Sequence, residues 1–311
     1  MTGGAYVAIA GGVGGARLAN GLAQILPPDR LSIIVNTGDD FRHLGLQICP
    51  DLDTVMYTLA GLNDPKKGWG AADETWHVMD HVRTMPDIGW FQLGDRDLAT
   101  HLYRNHLLER HTLTETTRLL AEAVGVRHRL APMSDQRIST FVDTAEGRLA
   151  FQDYFVRRRC EPAFRSLAFD AADGATVSDA ARAALSRPDL RAVIICPSNP
   201  VLSITPILST PGMRDAIDAS GAPVVAVSPF IGGEAVKGPA AKIMREIGVE
   251  TTTEGLTAFY RGLLDGVVID AQDADAPPPL PYLATDILMR GTADQKRLAA
   301  EVLAFADTLA G

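Results

Sequence analysis

No apolar run in this 311-residue chain approaches the ~20 residues of a membrane-spanning helix, and no basic-plus-apolar leader is read at its start. A soluble, cytoplasmic protein without membrane attachment is expected. Basic blocks are equally scarce. Arg157-Arg158-Arg159 is the densest, and the formal charge is −9, so nucleic acid is not an expected partner. Cysteine is limited to Cys49, Cys160 and Cys196, odd in number, far apart and without a Cys-x-x-Cys pair. That pattern excludes a disulfide framework and a zinc ribbon and leaves buried thiols in a reducing compartment. His77 and His81 are four apart, but no Glu completes a His-Glu-x-x-His pattern, so no zinc site is expected there.

What the chain does have is a large apolar content, 46%, arranged in a recurring order. Short β-rich runs (Tyr6–Ala10, Leu31–Val35) alternate with amphipathic segments near Ala16–Leu26 and Asp53–Leu62. The rhythm returns with strands at Ala192–Cys196, Pro223–Ser228 and Val267–Asp270 and helices near Ala240–Ile247, Thr253–Leu264 and Ala293–Leu309. Such alternation is that of βαβ units, and near-continuous apolar strands are buried on both faces. The expected fold is α/β: a Rossmann-like, mostly parallel sheet with helices on both faces and an inserted α+β subdomain. One domain spans 1–311, with the insert at about 64–175. Within the insert, Asp95–Glu109 and Thr114–Val124 read as helices, the second with a Thr112-x-x-Glu115 capping box. Ile138–Asp143 and Arg148–Val156 read as a hairpin around Glu146-Gly147. Pro277-Pro278-Pro279 marks a loop.

The candidate site residues follow the strands. Gly11, Gly12, Gly14 and Gly15, with Arg17, stand between the first strand and its helix, the place where backbone N–H groups and a helix dipole meet a phosphate. Packing is the other reason for glycine there. A dehydrogenase fingerprint is absent, because Arg17 stands where the last glycine of Gly-x-Gly-x-x-Gly would fall. The second strand ends in Asn36-Thr37-Gly38-Asp39-Asp40, followed by Pro50-Asp51-Leu52-Asp53-Thr54. Clustered carboxylates repel, which suits Mg²⁺ beside a diphosphate; strand ends and helix caps are the alternative. In Gly94–His101, Asp97, Thr100 and His101 share a helix face, with Arg96 beside them. Pro197-Ser198-Asn199-Pro200 and Ser228–Pro239, the latter carrying Gly232, Gly233 and Lys237, follow later strands, where α/β sheets place ligand loops. Trp69, Trp76, Trp90 and Tyr57 offer an aromatic wall for a flat ring, or core packing.

Taken in order, Gly11–Arg17, Asn36–Asp40, Pro50–Thr54, Gly94–His101, Pro132-Met133-Ser134-Asp135, Phe151-Gln152-Asp153-Tyr154 with Val156, Pro197–Pro200 and Ile231–Pro239 resemble the 2-phospholactate transferase family. The resemblance covers nearly the whole chain. It implies a transferase of deazaflavin coenzyme F-420 biosynthesis, whose acceptor is 7,8-didemethyl-8-hydroxy-5-deazariboflavin and whose donor is a guanosine diphosphate ester of a small carboxylic acid. The ribityl hydroxyl would attack the phosphorus nearer the acid and GMP would leave, with Mg²⁺ as the counterion. Carried onto this sequence, the resemblance implies Gly11 to Gly15 at the diphosphate and Ser198, Asn199, Gly232, Gly233 and Lys237 at the guanosine part. Asp39 and Asp53 are the expected metal ligands, with Asp51 and Asp40 in reserve, one of them to orient the hydroxyl. Arg96, Thr100 and His101 are expected to face the deazaflavin, and Asp53→Asn is expected to abolish turnover with the fold intact. A homodimer is expected as the commonest soluble assembly. The alternative is a regulator of the same fold that binds a nucleotide sugar without turnover. It leaves Gly94–His101 and Pro50–Thr54 unexplained. The donor acid, lactyl, enolpyruvyl or glyceryl, is not tied to any residue.

Overall fold

The computed structural model describes residues 3–310. In chain order the first elements are β1 (Ala5–Ala10), α1 (Gly12–Ala23), β2 (Leu31–Val35), a small hairpin of β3 (Phe41–His43) and β4 (Leu46–Ile48), and α2 (Pro50–Ala60). The middle holds α3 (His77–Val82), α4 (Asp95–Leu108), α5 (Leu113–Ala123), β5 (Arg129–Pro132), β6 (Ile138–Thr144), β7 (Gly147–Ala150) and β8 (Phe164–Ala171). Then come α6 (Asp179–Leu185), β9 (Leu190–Ile195), α7 (Thr205–Leu208), α8 (Met213–Ser220) and β10 (Val224–Val227). The last part has β11 (Phe230–Ile231), β12 (Glu234–Ala235), α9 (Ala240–Glu246), α10 (Thr253–Phe259), β13 (Gly266–Asp270), β14 (Tyr282–Thr285) and α11 (Thr292–Leu309).

Seven of these strands form one sheet in the order β14-β13-β10-β9-β1-β2-β5, and every pair in it is parallel. Side chains alternate between its faces. Val7, Ile9, Val193, Ile195, Val267 and Ile269 enter a core with α6 to α10. Tyr6, Ala8, Ala192, Ile194 and Val268 enter a second core with α1, α2, α5 and α11. Helices therefore cover both faces, as the continuous apolar strands require. The chain leaves β1 toward β2 on one side and returns through β9 on the other. A crevice accordingly opens between the carboxyl ends of β1 and β9, the usual ligand position in such sheets.

Three departures from the sequence reading have local causes. Within the stretch 64–175 the chain returns to the main sheet at β5, which pairs with β2, so the helices before it and the three-stranded antiparallel sheet β7-β6-β8 after it are separate excursions. The second hairpin strand stops at Ala150. Phe151, Tyr154 and Phe155 stand at helical spacing, Tyr154 is fully buried and Phe151 stacks on Phe155 at 5.6 Å, so residues 153–157 form a helical turn instead. Helix α1 begins at Gly12, so the glycines form its first turn rather than a loop before it. The capping box is present: Glu115 N–H donates to Thr112 Oγ1 and Thr112 N–H to Glu115 Oε2, both over 3.2 Å.

Candidate active site

The glycine turn is shaped mainly by neighbouring protein. A Cβ on Gly14 would strike the Pro197 carbonyl oxygen, and one on Gly15 the Ser198 hydroxyl, so both let α1 lie against the loop after β9. Gly11 donates its N–H to Ser198 Oγ (3.1 Å), which ties the two banks of the β1/β9 crevice together. At Gly12, which has a left-handed φ of +62°, a Cβ would make only ordinary van der Waals contact with Asp51 and Ser203, and its N–H donates to Asp51 Oδ1 at 2.7 Å. Of the four glycines, this one is not required by close packing against neighbouring protein.

Asn36, at the carboxyl end of β2, organises the acidic residues. Its Nδ2 donates to Asp39 Oδ1 (3.1 Å) and to Asp51 Oδ2 (2.9 Å), and its Oδ1 accepts from Gly38 N–H. Burial, then the neighbouring Asp51 and Asp40 charges, pushes the Asp39 carboxyl well above the usual carboxylate range. Burial also lifts Asp40 well above that range, and Asp40 Oδ1 is buried without a hydrogen-bond partner. Asp51 is pushed up to about 6 by burial, with the Asn36 and Gly12 hydrogen bonds holding it back.

Asp53 faces the other way. Its carboxylate is gripped at both oxygens by Arg104 of α4, with Nη1 at 3.0 Å from Oδ2 and Nη2 on Oδ1. Arg104 is only 2% exposed. Its Nη1 also donates to His101 Nδ1 over 2.8 Å, so the ring proton sits on Nε2, which faces Asp97 Oδ1 at 3.4 Å. Asp97 in turn accepts from the Tyr57 hydroxyl at 2.9 Å. Asp53, Asp97 and His101 lie close enough to share a cation, and the Arg104 guanidinium already contacts two of them, Asp53 and His101.

Of the four carboxylates Asp39, Asp40, Asp51 and Asp53, only Asp53 is paired with the buried Arg104 guanidinium. Asp39, Asp40 and Asp51 have no cationic partner: Asn36 Nδ2 is shared between Asp39 and Asp51, the Gly12 N–H donates to Asp51, and one Asp40 oxygen is orphaned. Buried negative charge in that state needs a cation, and a hard oxygen set with room for water suits Mg²⁺. The residues present fit the ion: Asp39 and Asp51 have no cationic partner, whereas Asp53, whose ligand atoms group with those of Asp97 and His101, is paired with Arg104. Beside Asp40 opens a cavity of about 480 Å³ lined by Thr37, Arg42, Gln47, Asn105, Asp135 and Arg137. Thr37 Oγ1, like Asp40 Oδ1, is buried without a partner.

The other sequence candidates divide. Ser198 lies on the crevice, while the Asn199 side-chain oxygen is used in capping the turn at 200–204, accepting from Val201 and Leu202 N–H at 3.0 Å each. Arg17 donates to the Met289 carbonyl (3.1 Å), and Gly232 N–H donates to Asp273. Gly233 turns with a φ of +77°. Lys237 Nζ donates to the Lys67 carbonyl, and a Cβ on Gly68 would meet Val13 of α1. The loop at 64–71 and the loop carrying Lys237 therefore meet over the start of α1. Arg96 sits at the exposed start of α4, donating from Nη1 to the Ala72 carbonyl, and the Thr100 hydroxyl points back to the Arg96 carbonyl. His101 is enclosed among Arg104, Asp53 and Asp97 instead of facing open space. The aromatic residues form no common wall: Tyr57 is bound to Asp97, Trp90 packs with Phe41, His43 and Phe91, and Trp69 and Trp76 flank Lys67.

Asn36 and Arg104 were not assigned roles by the sequence, although Asp97, His101 and Arg104 repeat at helical spacing and Asn36 opens the acidic stretch. Among the described residues, no helix is long and apolar enough to cross a membrane.

The family model for 2-phospho-L-lactate transferase CofD matches residues 6–299. A phosphoenolpyruvate transferase of Kitasatospora aureofaciens is 40% identical over 94% of this chain and 96% of that relative. A 2-phospho-L-lactate transferase of Methanopyrus kandleri is 38% identical over 97% of this chain and 98% of its own length. A crystal structure of a UPF0052 family member from Bacillus halodurans superposes with a TM-score of 0.60 at 14% identity, covering 96% of this chain and 99% of that one, a likeness of fold alone. With a parallel sheet, a glycine-turn crevice and a carboxylate cluster at its rim, the chain belongs to the 2-phospho-L-lactate transferase CofD family and is a transferase enzyme.

Proposed function

We propose that the enzyme moves a phospholactyl, phosphoenolpyruvyl or phosphoglyceryl group from a guanosine diphosphate-linked donor to the terminal ribityl hydroxyl of 7,8-didemethyl-8-hydroxy-5-deazariboflavin, releasing GMP, in coenzyme F-420 biosynthesis. The observation that carries the reading is the pair Asp39 and Asp51, joined by one Asn36 amide at the rim of the β1/β9 crevice. The names of the relatives, phosphoenolpyruvate and 2-phospho-L-lactate transferases, support two of the three acids.

On this reading the donor lies along the crevice, its diphosphate near Gly12 and its guanosine toward Ser198 and the Lys237 loop. Asp39 and Asp51 hold Mg²⁺, which when bound offsets the charge on the phosphate oxygens. The acceptor occupies the cavity beside Asp40, where Thr37 Oγ1 and Asp40 Oδ1 lack partners and Gln47 offers an amide to a polar ring edge. Asp40 accepts the proton of the attacking hydroxyl. The hydroxyl oxygen bonds to the phosphorus nearer the acid, and the bond from that phosphorus to the GMP oxygen breaks. No covalent enzyme intermediate is needed, because positioning and charge neutralisation supply most of the rate.

The test is mass spectrometry of the purified protein incubated with the deazaflavin, the three guanosine diphosphate esters and Mg²⁺, with an EDTA control. A phospho-acid adduct of the deazaflavin together with GMP is expected, its mass naming the acid. Bound ligand with neither product would overturn the reading.

A further inference from the structure

We propose that Arg104 is a positioning residue for the transfer: it withdraws Asp53 from the carboxylates open to a divalent cation and so confines that cation to Asp39 and Asp51. The inference rests on the Mg²⁺ reading above. Asp51 and Asp53 stand in the first turn of α2, two residues apart, and project to different sides. Asp51 meets Gly12 and Asn36 on the α1 side, whereas Asp53 meets α4. Without a guanidinium, Asp53 would be a further unpaired buried anion beside Asp39 and Asp51, which are themselves buried.

The grip is directional. A guanidinium fork engages both carboxylate oxygens in one plane, which an ammonium does not reproduce. It is also supported from behind. Arg104 Nη1 reaches His101 Nδ1 at 2.8 Å, His101 faces Asp97, and Asp97 accepts from Tyr57, which lies one turn beyond Asp53 in α2. The ring Asp53–Arg104–His101–Asp97–Tyr57 therefore starts and ends on α2 and fixes the rotation of that helix. Asp51 is held where Gly12 and Asn36 can reach it. A guanidinium used only to pin α4 to α2 would need no such closed path back to Tyr57.

The experiment measures Mn²⁺ binding by electron paramagnetic resonance on the full chain, with initial rates, for Arg104→Met, Arg104→Lys and the double variant Asp53→Asn/Arg104→Met. Arg104→Met is expected to bind Mn²⁺ about ten-fold more tightly, or to take a second ion, while turnover falls about a hundred-fold. Arg104→Lys is expected to fall between it and the parent. The double variant, which removes both charges, is expected to return to the parental Mn²⁺ affinity. Should Arg104→Met fail to fold, the double variant decides: parental affinity supports the proposal, and loss of Mn²⁺ binding makes Asp53 a ligand and overturns it. Folded Arg104→Met with unchanged or weaker Mn²⁺ binding reduces Arg104 to a structural clamp. A parent protein that transfers without binding Mn²⁺ overturns the cation reading itself, a result distinct from failure of Arg104 alone.

Discussion

Gly12 donates its backbone N–H to Asp51 Oδ1 over 2.7 Å, which joins the first turn of α1 to the first turn of α2. Asp51 therefore sits at the positive end of α1, where a phosphate would also be drawn, and a bound cation would offset the charge of the two anions. Asp51→Asn keeps an oxygen for the Gly12 N–H and removes the charge. We expect a folded protein whose melting temperature no longer rises with Mg²⁺ and whose turnover drops about 100-fold or more. Turnover near that of the parent, measured by GMP release, would remove Asp51 from the site.

Asp53→Asn behaves differently. The sequence alone suggests a lost metal ligand in an intact fold, but the partner of Asp53 is a buried guanidinium. Leaving that charge unpaired costs about 3–5 kcal/mol, or a fall in melting temperature of roughly 5–8 °C for a domain of this size. Asp39→Asn, which strands no cation, is expected to melt close to the parent. Thermal unfolding of the two variants side by side checks the contrast; equal melting temperatures would contradict it.

The sheet was legible in the sequence because its strands are short and apolar on both faces, a pattern that Leu31–Val35 and the runs at β9, β10 and β13 carry without help from the rest of the chain. Strand β5 was missed: Arg129–Pro132 is brief and ends in proline, and its edge position beside β2 is a long-range fact. The acidic residues were legible as a group, whereas their division was not. Which of Asp51 and Asp53 is free depends on an arginine 51 residues further on, brought in by the docking of α4 on α2. The glycines gave the right place for a reason that is partly different, since Gly14 and Gly15 are required by the Pro197-Ser198 loop.

The raised carboxyls predict how pH and Mg²⁺ act together. Asp39 and Asp40 are held well above the ordinary carboxylate range and Asp51 is pushed up to about 6, so the folded protein holds more protons than the unfolded chain from about pH 4 upward. Their contribution to stability is fully present below about pH 4 and is lost as pH rises, the Asp51 share through about 6. Mg²⁺ competes with those protons and reverses the loss. The gain in melting temperature on adding Mg²⁺ is therefore expected to be small near pH 5 and large near pH 8. A gain that does not change with pH would mean that the ion binds elsewhere.

Gly14→Ala and Gly12→Ala separate packing from ligand approach. An added methyl at 14 meets the Pro197 backbone carbonyl, which cannot move without shifting β9, and the expected loss is about 1–3 kcal/mol in the absence of any ligand. At 12 there is room, and the strain comes from the left-handed φ of +62°, about 1–2 kcal/mol. The methyl at 12 also faces the crevice, so Gly12→Ala is expected to raise the donor KM more than Gly14→Ala does. Denaturant melts of the free protein and donor titrations together test this. A Gly14→Ala protein as stable as the parent would return that glycine to a ligand role.

Lys237 bridges the two loops that meet over α1, donating to the Lys67 carbonyl. Burial, followed by the nearby Arg17 charge, lowers its pKa below the usual lysine range, which marks a cation short of anions in the free protein. A donor diphosphate or its nucleotide would supply the missing charge. Because Lys237 belongs to the loop rather than to the carboxylate cluster, its contact is expected to be equal in the bound and transition states. Lys237→Met should then raise the donor KM about ten-fold and leave kcat within about two-fold. Should initial rates instead show kcat falling at constant KM, Lys237 acts on the phosphoryl group in transfer, and the loop it carries belongs to the chemistry rather than to nucleotide capture.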